Sequence, residues 1–415
     1  MVFASERSLI VKYHMTKKYA LGFVVADSYY FVGQREKLDW IPDAEEIWDM
    51  EQFRADPRPK ILMVPCFNPG GEFPCNGDYS WVDLILAVTD EFLSDSPHDP
   101  IMNRAQKALN NQNIIFISAG QSSEMIGSDR IYHPLLCWVS HVFDSSDYIP
   151  PALPDHKPYL FDAMLGQSKE HRLFIFYKLI EDDLMNKSLV SLWRHNRHEY
   201  YNLDKSEIDE SLYRQFSNNQ VCGDLVKKHG LVNFYRSPGM DLLELPDINV
   251  PKDDPINYTS CQPTERFCKS RPDVVLNMAM DIPTKIYDAS WYSIVAETRW
   301  ESANLFITEK LGKPLWSKRV FINFGAKGCL AYLKSQGFRT FDGIIDESYD
   351  AETDDCKRFE MAWGQVKLLS TLDPLDVYRR AEPALENNYR LIPALKNEHL
   401  KIREFISRFL PDINT

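Results

Sequence analysis

Short apolar runs of strand length alternate with helix-compatible stretches along the first 150 residues of the chain. The apolar runs are Leu21–Ala26, Ile61–Val64, Ile114–Ser118 and Trp138–Phe143, and the helix-compatible stretches are Trp81–Leu93 and Asp99–Asn110. Strands that alternate with helices favour a parallel sheet with crossover helices. We therefore expect an α/β fold in which ligands bind at the carboxyl ends of the strands.

A segment rich in proline and aspartate, Asp144–Pro158, interrupts this pattern and indicates a domain boundary. We expect one domain over residues 1–150, a second over 151–370, and terminal helices over 371–415. Asp373 and Pro374 are a typical N-cap and first helical residue, and apolar residues follow them at helical spacing. The apolar run over residues 172–179 is too short to separate a strand from a helix start.

The composition indicates a folded protein with an acidic balance. Of its 415 residues, 44% are hydrophobic and 13% are aromatic, which is enough to fill two cores. A formal charge of −13 counts against a generally basic nucleic-acid coat but allows a local basic groove. The eight cysteines form no Cys-x-x-Cys pair, and neither a signal peptide nor an apolar run of about 20 residues is evident. We expect a reduced, cytoplasmic protein with no membrane partner.

The strongest candidate chemistry lies in the segment SIVAETRWESANLFITEKLGKPLWSKRVFINFGAKG. Thr308 suits the N-cap of a helix that begins with Glu309 and Lys310, and free N–H groups at a helix start attract anions. A lysine there can meet a diphosphate, and a carboxylate there can accept hydrogen bonds from a ribose diol. The alternative is an exposed charge pair at an ordinary helix start. The run Val320–Phe324 ends at Gly325, where the backbone can approach a ligand or make a tight turn.

The order AETR followed by FITEKL resembles the donor-site signature of the fucosyltransferase-type GT-B glycosyltransferases. Wider blocks, from Lys157 to Leu192 and from Glu297 to the run DESYD, resemble glycosyltransferase-like proteins of large phages and viruses. This resemblance covers the second half of the chain. It implies a GT-B-like fold with two Rossmann-like domains facing a central cleft, a UDP- or GDP-linked sugar as the donor, and terminal helices that can cross back to the first domain.

The resemblance also assigns expected roles within the donor site. Lys310 meets the donor phosphates, Glu309 meets the ribose hydroxyls, and Lys313 is either a second phosphate contact or a solvated lysine. Phe306 stands where the family has tyrosine, so that stacking persists without the hydroxyl contact. Thr298 and Arg299 depart from the asparagine of the family. The expected donor-binding residues are Glu297, Arg299, Phe306, Thr308, Glu309, Lys310, Lys313 and Gly325.

Catalysis requires a group that stabilises the leaving diphosphate and a base. Arg172 is the candidate for the first role, unless it only pairs with a surface carboxylate. An inverting transfer needs a carboxylate or histidine near the acceptor hydroxyl. Its candidates, chosen by loop position and each otherwise a solvated loop residue, are Asp27, Glu72, Asp78, Glu124 and His133. No Asp-x-Asp follows an expected strand, so we expect a metal-independent enzyme without a cofactor.

The acceptor side is indicated by the segment LWRHNRHEYY, which mixes aromatic and cationic side chains. Trp193, Arg194 and Arg197 are its candidate contacts to nucleic acid, and a polar loop around one buried tryptophan is the alternative. The resemblance to phage proteins suggests a hydroxymethylated pyrimidine in DNA as the acceptor, within the host cytoplasm if the protein is phage-encoded. Alternatives are a glycan or protein acceptor, or a non-catalytic nucleic-acid- or glycan-binding module of the same fold.

Overall fold

The computed structural model of the protein describes residues 18–23, 41, 44–47, 49–65, 78–89, 101–118, 120–122, 129–136, 149–150, 153, 155–193, 205–232, 234–237 and 282–411. These residues form two mainly parallel sheets with helices between the strands, which confirms the α/β class. The strands are β1 (Tyr19–Phe23), β2 (Ala44–Ile47), β3 (Lys60–Pro65), β4 (Leu84–Thr89), β5 (Ile114–Ser118), β6 (Gly120–Ser122), β7 (Ile131–Tyr132), β8 (Tyr159–Gln167), β9 (Ser188–Trp193), β10 (Phe234–Arg236), β11 (Ser290–Ala296), β12 (Asn304–Phe306) and β13 (Val320–Phe324).

The helices of the described residues connect these strands and cover the sheets. They are α1 (Met50–Ala55), α2 (Ile101–Leu109), α3 (Glu170–Glu181), α4 (Lys205–Ser217), α5 (Gly223–His229), α6 (Thr284–Ala289), α7 (Glu309–Trp316), α8 (Cys329–Ser335), α9 (Asp355–Leu369), α10 (Pro374–Leu391) and α11 (Glu398–Ser407). Asp373 caps α10 through its side chain and Pro374 is the first residue of that helix, as the sequence predicts.

The first sheet has the order β2-β1-β3-β4-β5-β7, and every neighbouring pair in it is parallel. Successive strand residues point to opposite faces, so each face has its own apolar cluster. Along β3, Leu62 and Val64 join the cluster that includes α1 and α2, whereas Ile61 and Met63 join the cluster that includes α11. The last helix of the chain therefore covers one face of the first sheet.

Two expectations about local structure are corrected by this sheet and its neighbour. The helix expected over Trp81–Leu93 is wrong for residues 84–89, which form strand β4. This strand is paired on both sides and buried, so it lacks the alternation that separates a strand from a helix. The ambiguous run over residues 172–179 lies inside helix α3. The run Trp138–Phe143 lies outside the described residues.

The second sheet has the order β10-β9-β8-β11-β13, in which only the edge strand β10 is antiparallel. Helices α3 and α9 pack against each other over this sheet, as do α7 and α10. Aromatic rings fill the space between helix and strand, for example Phe324 of β13 against Phe359 of α9. The carboxyl ends of its four parallel strands share one edge.

The two sheets are joined by a short antiparallel ladder. Strand β6, which follows β5 of the first sheet, pairs with β12, and Gly120 lies opposite Phe306. Helix α7 begins three residues after Phe306. The ladder thus brings the carboxyl edge of the first sheet beside the segment that leads into α7. Among the described residues, no helix is both long and apolar enough to span a bilayer.

Candidate functional site

The loops that follow β8, β11 and β13 lie together at the carboxyl edge of the second sheet, because these strands are parallel. They begin at Ser168, Glu297 and Gly325. Ligands of open parallel sheets bind at this edge. We refer to these three loops, with the first turns of α3 and α7, as the carboxyl-edge cluster.

Glu297, directly after β11, organises the carboxyl-edge cluster. Its side chain is fully buried, and its two oxygens accept hydrogen bonds from the Thr308 N–H at 3.0 Å and the Thr308 hydroxyl at 2.6 Å. The oxygen that binds the hydroxyl also accepts from the Thr298 N–H at 3.1 Å. Burial raises the pKa of Glu297, and Lys310 and Thr308 only partly offset this effect. Because both oxygens are occupied, Glu297 fixes the loop to the start of α7.

Helix α7 begins as the sequence predicts, with Thr308 at its N-cap. The Thr308 hydroxyl accepts from the Lys310 N–H at 3.2 Å, and the Thr308 carbonyl accepts from the N–H groups of Leu311 and Gly312, both at 3.1 Å. Pro314 lies inside the helix, which nevertheless continues to Trp316. Thr308 accepts from these N–H groups, so they are not available to a ligand. A ligand at the start of α7 would therefore contact side chains and not these amides.

The ammonium group of Lys310 retains a hydrogen-bonding capacity that the described contacts do not fill. It donates to the Glu309 carboxylate at 2.6 Å and to the Thr298 hydroxyl at 3.0 Å. An ammonium group has three N–H donors, so one donor has no partner within the described residues. The Lys310 side chain is 30% exposed and that of Glu309 is 12% exposed. The group is therefore held in place yet open to solvent.

Glu309 is charged despite its burial. Burial acts to raise the pKa of Glu309, but the charges of Lys310 and Lys313 and the hydrogen bond from Lys310 outweigh it and lower the pKa overall. Lys313 is itself only 8% exposed, one turn further along α7. A stable carboxylate and a partly free ammonium group thus stand side by side at the start of this helix.

A second lysine approaches the same loop from the start of α3. The Lys169 ammonium donates to the Thr298 carbonyl at 2.9 Å, while the Lys310 ammonium contacts the hydroxyl of the same residue. Burial, together with the charges of Arg172, Lys169 and Lys310, holds the pKa of His171 well below its usual range. His171 is accordingly neutral, and the charges of three nearby cations keep it so.

Arg172 lies within the carboxyl-edge cluster but faces the protein interior. Its guanidinium donates to the Glu297 carbonyl at 3.5 Å, and the His171 ring donates to that carbonyl from Nε2 at 2.8 Å. Arg172 is 5% exposed, and a Cβ added at Gly166 would lie 3.4 Å from its Nη1. These contacts make Arg172 a support for the loop that carries Glu297.

The Gly-x-x-Gly turn after β13 packs closely against Asn323 and Glu297 and leads into the start of α8. A Cβ added at Gly325 would lie 3.0 Å from the Asn323 amide nitrogen and 3.2 Å from the Glu297 Cγ. Gly328 has φ +84°, a conformation that favours glycine. The Asp350 carboxylate accepts from the Leu330 and Ala331 N–H groups at the start of α8. The protein's own carboxylate therefore occupies the helix start that could otherwise receive an anion.

Arg358 of α9 joins two loops of the carboxyl-edge cluster and was not found from the sequence. Its guanidinium donates to the Trp300 carbonyl at 2.5 Å, the Ser302 hydroxyl at 2.6 Å and the Gly325 carbonyl at 3.2 Å. It also forms an ion pair with Asp355 at 2.6 Å. Because Arg358 is 2% exposed, it acts as a structural tie between the loops.

Other expected donor and acceptor residues lie close to the cluster or beyond the described part of the chain. Phe306 is buried in β12 and Arg299 is half-buried in the loop after Glu297. Trp193 ends β9 opposite Gln167 at the same edge of the sheet. The candidates that lie outside the described residues are Arg194, Arg197, Asp27, Glu72 and Glu124.

Asp78 is the candidate base that the structure does not bring to the site. It precedes β4 and accepts hydrogen bonds from the Ser80 N–H at 3.1 Å and the Asn110 amide at 2.8 Å. Asn110 follows helix α2 at the end that leads into the next strand. Asp78 therefore lies at the amino-terminal edge of the first sheet, whereas the ladder to β12 follows the carboxyl end of β5.

Sequence reasoning missed Lys169, His171 and Arg358 because their contacts are remote along the chain. The separations from Lys169 to Thr298 and from His171 to Glu297 are 129 and 126 residues. The available signal was the run KEHR one residue after the end of β8, which places four charged or titratable residues near a strand end. No local periodicity identifies their partners.

Within the described ranges, no group of three or more His, Cys, Asp or Glu side chains is arranged to hold a metal ion. Comparisons with protein-family models, with curated proteins and with solved structures found no match to this chain.

Proposed function

We propose that the protein is a glycosyltransferase that moves a sugar from a UDP- or GDP-linked donor to an acceptor hydroxyl. The observation that carries this proposal is Lys310, a positioned ammonium group with one donor unfilled by the described residues. It stands beside the charged Glu309 at the carboxyl edge of a parallel sheet. A cation beside a carboxylate suits a ligand that combines a diphosphate with a diol.

The diphosphate would lie against the two lysines that contact Thr298. Lys310 and Lys169 approach this residue from α7 and α3, so both ammonium groups can face one anion. Fixed cations stabilise the charge that develops on a departing diphosphate. Glu309 would accept hydrogen bonds from the ribose hydroxyls. The diphosphate would be bound by side-chain cations and not by helix N–H groups, because Thr308 and Asp350 occupy amides at the starts of α7 and α8.

A GT-B-like arrangement is part of the proposal, with the second sheet as the donor side and the first sheet as the acceptor side. The contact that supports it is the ladder between β6 and β12, which links the carboxyl edge of the first sheet to the segment before α7. The absence of Asp-x-Asp from the sequence favours a reaction in which lysine side chains meet the leaving group without a metal. The reaction would take place in the cytoplasm.

The acceptor that we favour is a hydroxymethylated pyrimidine in phage-type DNA. Its support is the aromatic and cationic segment that begins at Trp193, where β9 ends at the same edge of the sheet. A base must leave the stack to be modified, at a cost of a few kcal/mol that contacts to the protein would offset. A glycan or protein acceptor is the alternative within the same reaction class.

A non-catalytic binding module is the second candidate function. The observation in its favour is that Thr298 and Phe306 stand where the resembled family has asparagine and tyrosine, so two expected donor contacts are missing. Such a module would bind a nucleotide, nucleic acid or glycan and would not turn over a sugar donor.

A thermal-shift screen against UDP, GDP and their common sugar conjugates tests the proposal. A ligand at about 100 times its Kd adds about 2.7 kcal/mol to the free energy of unfolding, which raises Tm measurably. We expect a rise with one nucleotide class, and release of that nucleoside diphosphate when duplex DNA containing 5-hydroxymethylcytosine is added. A rise without release contradicts the DNA acceptor and leaves a glycan or protein acceptor or the binding module, and no rise with any compound contradicts a nucleotide site.

A further inference from the structure

His133 lies at the carboxyl end of β7, in the first sheet, with one ring nitrogen fixed and the other not bonded by any described residue. Its Nδ1 lies 2.8 Å from the Gly120 carbonyl oxygen. A carbonyl can only accept, so Nδ1 carries the hydrogen and Nε2 of the neutral ring is an acceptor. Nε2 is buried and has no hydrogen-bond partner among the residues that the structure describes. The ring is thus held in the tautomer that can take up a proton.

An unused acceptor in a buried position requires a physical explanation. Leaving such a group unpaired costs about 1–3 kcal/mol, and most buried polar atoms are paired. The hydrogen bond from Nδ1 already fixes the ring, and Ser118 donates its hydroxyl to the same Gly120 carbonyl at 2.8 Å. Structural support alone therefore does not account for a buried Nε2 lone pair that has no partner among the described residues. A ligand hydroxyl would satisfy it.

The position of His133 relative to the carboxyl-edge cluster suits a role in group transfer. Gly120, which accepts from His133, lies opposite Phe306 in the ladder between the two sheets. Phe306 is followed after one residue by Thr308, the N-cap of the helix that begins with Glu309 and Lys310. One strand spacing and a few residues of chain, on the order of 10–15 Å, therefore separate the ring from the cation. A sugar and its diphosphate span a distance of this order.

We propose that His133 is the catalytic base of the sugar transfer; this inference rests on the proposed function. Nε2 takes the proton of the acceptor hydroxyl while that oxygen forms its bond to the anomeric carbon. The bond from the anomeric carbon to the donor oxygen breaks, and the diphosphate leaves with the electron pair. Lys310 faces the charge on the diphosphate, and the proton remains on His133 until it returns to solvent.

The surroundings of His133 keep it ready to accept that proton. Burial lowers the pKa of His133, and the carbonyl groups of Gly120 and Ser118 only partly oppose this effect. No charged group of the described residues contributes to this shift. Arg130 and Asp129 lie at the other end of β7. The ring is therefore neutral at pH 7, and activity should fall as the pH drops through a pKa below 6.5.

The test compares His133→Asn with wild type. The asparagine amide can still donate to the Gly120 carbonyl, but the variant has no basic nitrogen. His229→Asn is the control, because His229 is a surface histidine that contacts Glu181 at 3.3 Å. Wild type is first tested with UDP-glucose, UDP-N-acetylglucosamine, GDP-mannose and GDP-fucose. With the donor that it turns over, the rate of nucleoside diphosphate release gives kcat. Calorimetry with UDP and GDP gives the Kd.

We expect kcat to fall about 10²- to 10⁴-fold in His133→Asn with an unchanged Kd, and to remain at the wild-type value in His229→Asn. The fall in wild-type kcat at low pH should disappear in His133→Asn. An unchanged kcat overturns the role of His133, and so does a parallel loss of kcat and of UDP or GDP affinity, which would mark a structural residue. If wild type binds neither nucleotide, the proposed function fails and this inference fails with it.

Discussion

Two acid–base pairs in the second sheet contain similar chemical groups and differ in how completely they are enclosed. At the amino-terminal half of the sheet, Arg319 pairs with Asp162 at 2.5 Å, and the two side chains are 3% and 2% exposed. At the carboxyl edge, Lys310 pairs with Glu309 at 2.6 Å, and the side chains are 30% and 12% exposed. The distance between the two charged groups is nearly the same in both pairs, so it does not distinguish one pair from the other.

The two pairs differ in how many N–H donors of the cation are used in hydrogen bonds to the described residues. All five N–H groups of Arg319 are used, on Asp162 and on hydroxyl and carbonyl groups of Tyr287, Ser290 and Ser293. Lys310 uses two of its three donors within the described contacts. The first pair is a closed structural centre, and the second is a centre that can accept an anion. Removal of a charge should therefore affect stability at the first and binding at the second.

The largest effect on stability is expected for Asp162→Ala. This change leaves the Arg319 charge buried without its carboxylate, which costs about 3–5 kcal/mol. Urea unfolding measures the free energy of unfolding. Asp224→Ala, which removes an exposed partner of Lys227, is the control and should leave the free energy of unfolding unchanged. An Asp162→Ala variant as stable as wild type would show that the pair does not hold the sheet.

A smaller, pH-dependent effect is expected for Lys157→Met at the same closed centre. The Lys157 ammonium donates to the carbonyls of Tyr287 and Ser290, and burial, with the charge of Arg319, lowers its pKa from 10.5 to about 8. Between these two pH values, Lys157 binds more protons in the unfolded chain than in the folded protein. The free energy of unfolding of wild type therefore increases with rising pH.

The Lys157→Met variant has no group that titrates at this position, so its free energy of unfolding lacks this increase with pH. We expect the free energy of unfolding of wild type, minus that of the variant, to increase from pH 7.5 to pH 10. Chemical denaturation at both pH values measures this difference. A difference that stays constant over the range would mean that Lys157 is not perturbed by the closed centre.

Local signals in the sequence were sufficient for several elements of the fold. The run Ile114–Ser118 is strand β5, and the hydroxyl of Thr308 caps α7. Asp373 caps α10, and Gly337 has φ +87° after the end of α8. These features depend on a few adjacent residues, so a short segment contains the required information.

Features that depend on distant partners could not be obtained in this way. Strand β4 was mistaken for a helix because burial between β3 and β5 makes every residue apolar. Arg172 was a candidate either for stabilising the leaving diphosphate or for pairing with a surface carboxylate, but the structure turns it towards the Glu297 carbonyl, 125 residues away. The capping of α8 by Asp350 likewise joins residues about 20 positions apart. The sequence indicated which residues carry chemistry, whereas the packing of α3 and of the 3₁₀ turn Glu347–Ala351 decides which of them remain open.

The most direct test of the open centre is the affinity of Lys310→Met for UDP and GDP, measured by calorimetry. Lys318→Met is a matched control, since the Lys318–Glu386 pair has the same 2.6 Å distance and Lys318 is 28% exposed. Both changes should alter the free energy of unfolding by no more than about 1 kcal/mol. We expect Lys310→Met to weaken binding about 10- to 100-fold, because a hydrogen bond to a charged group is worth about 1.5–3 kcal/mol. Equal affinity in the two variants would contradict a diphosphate site at Lys310.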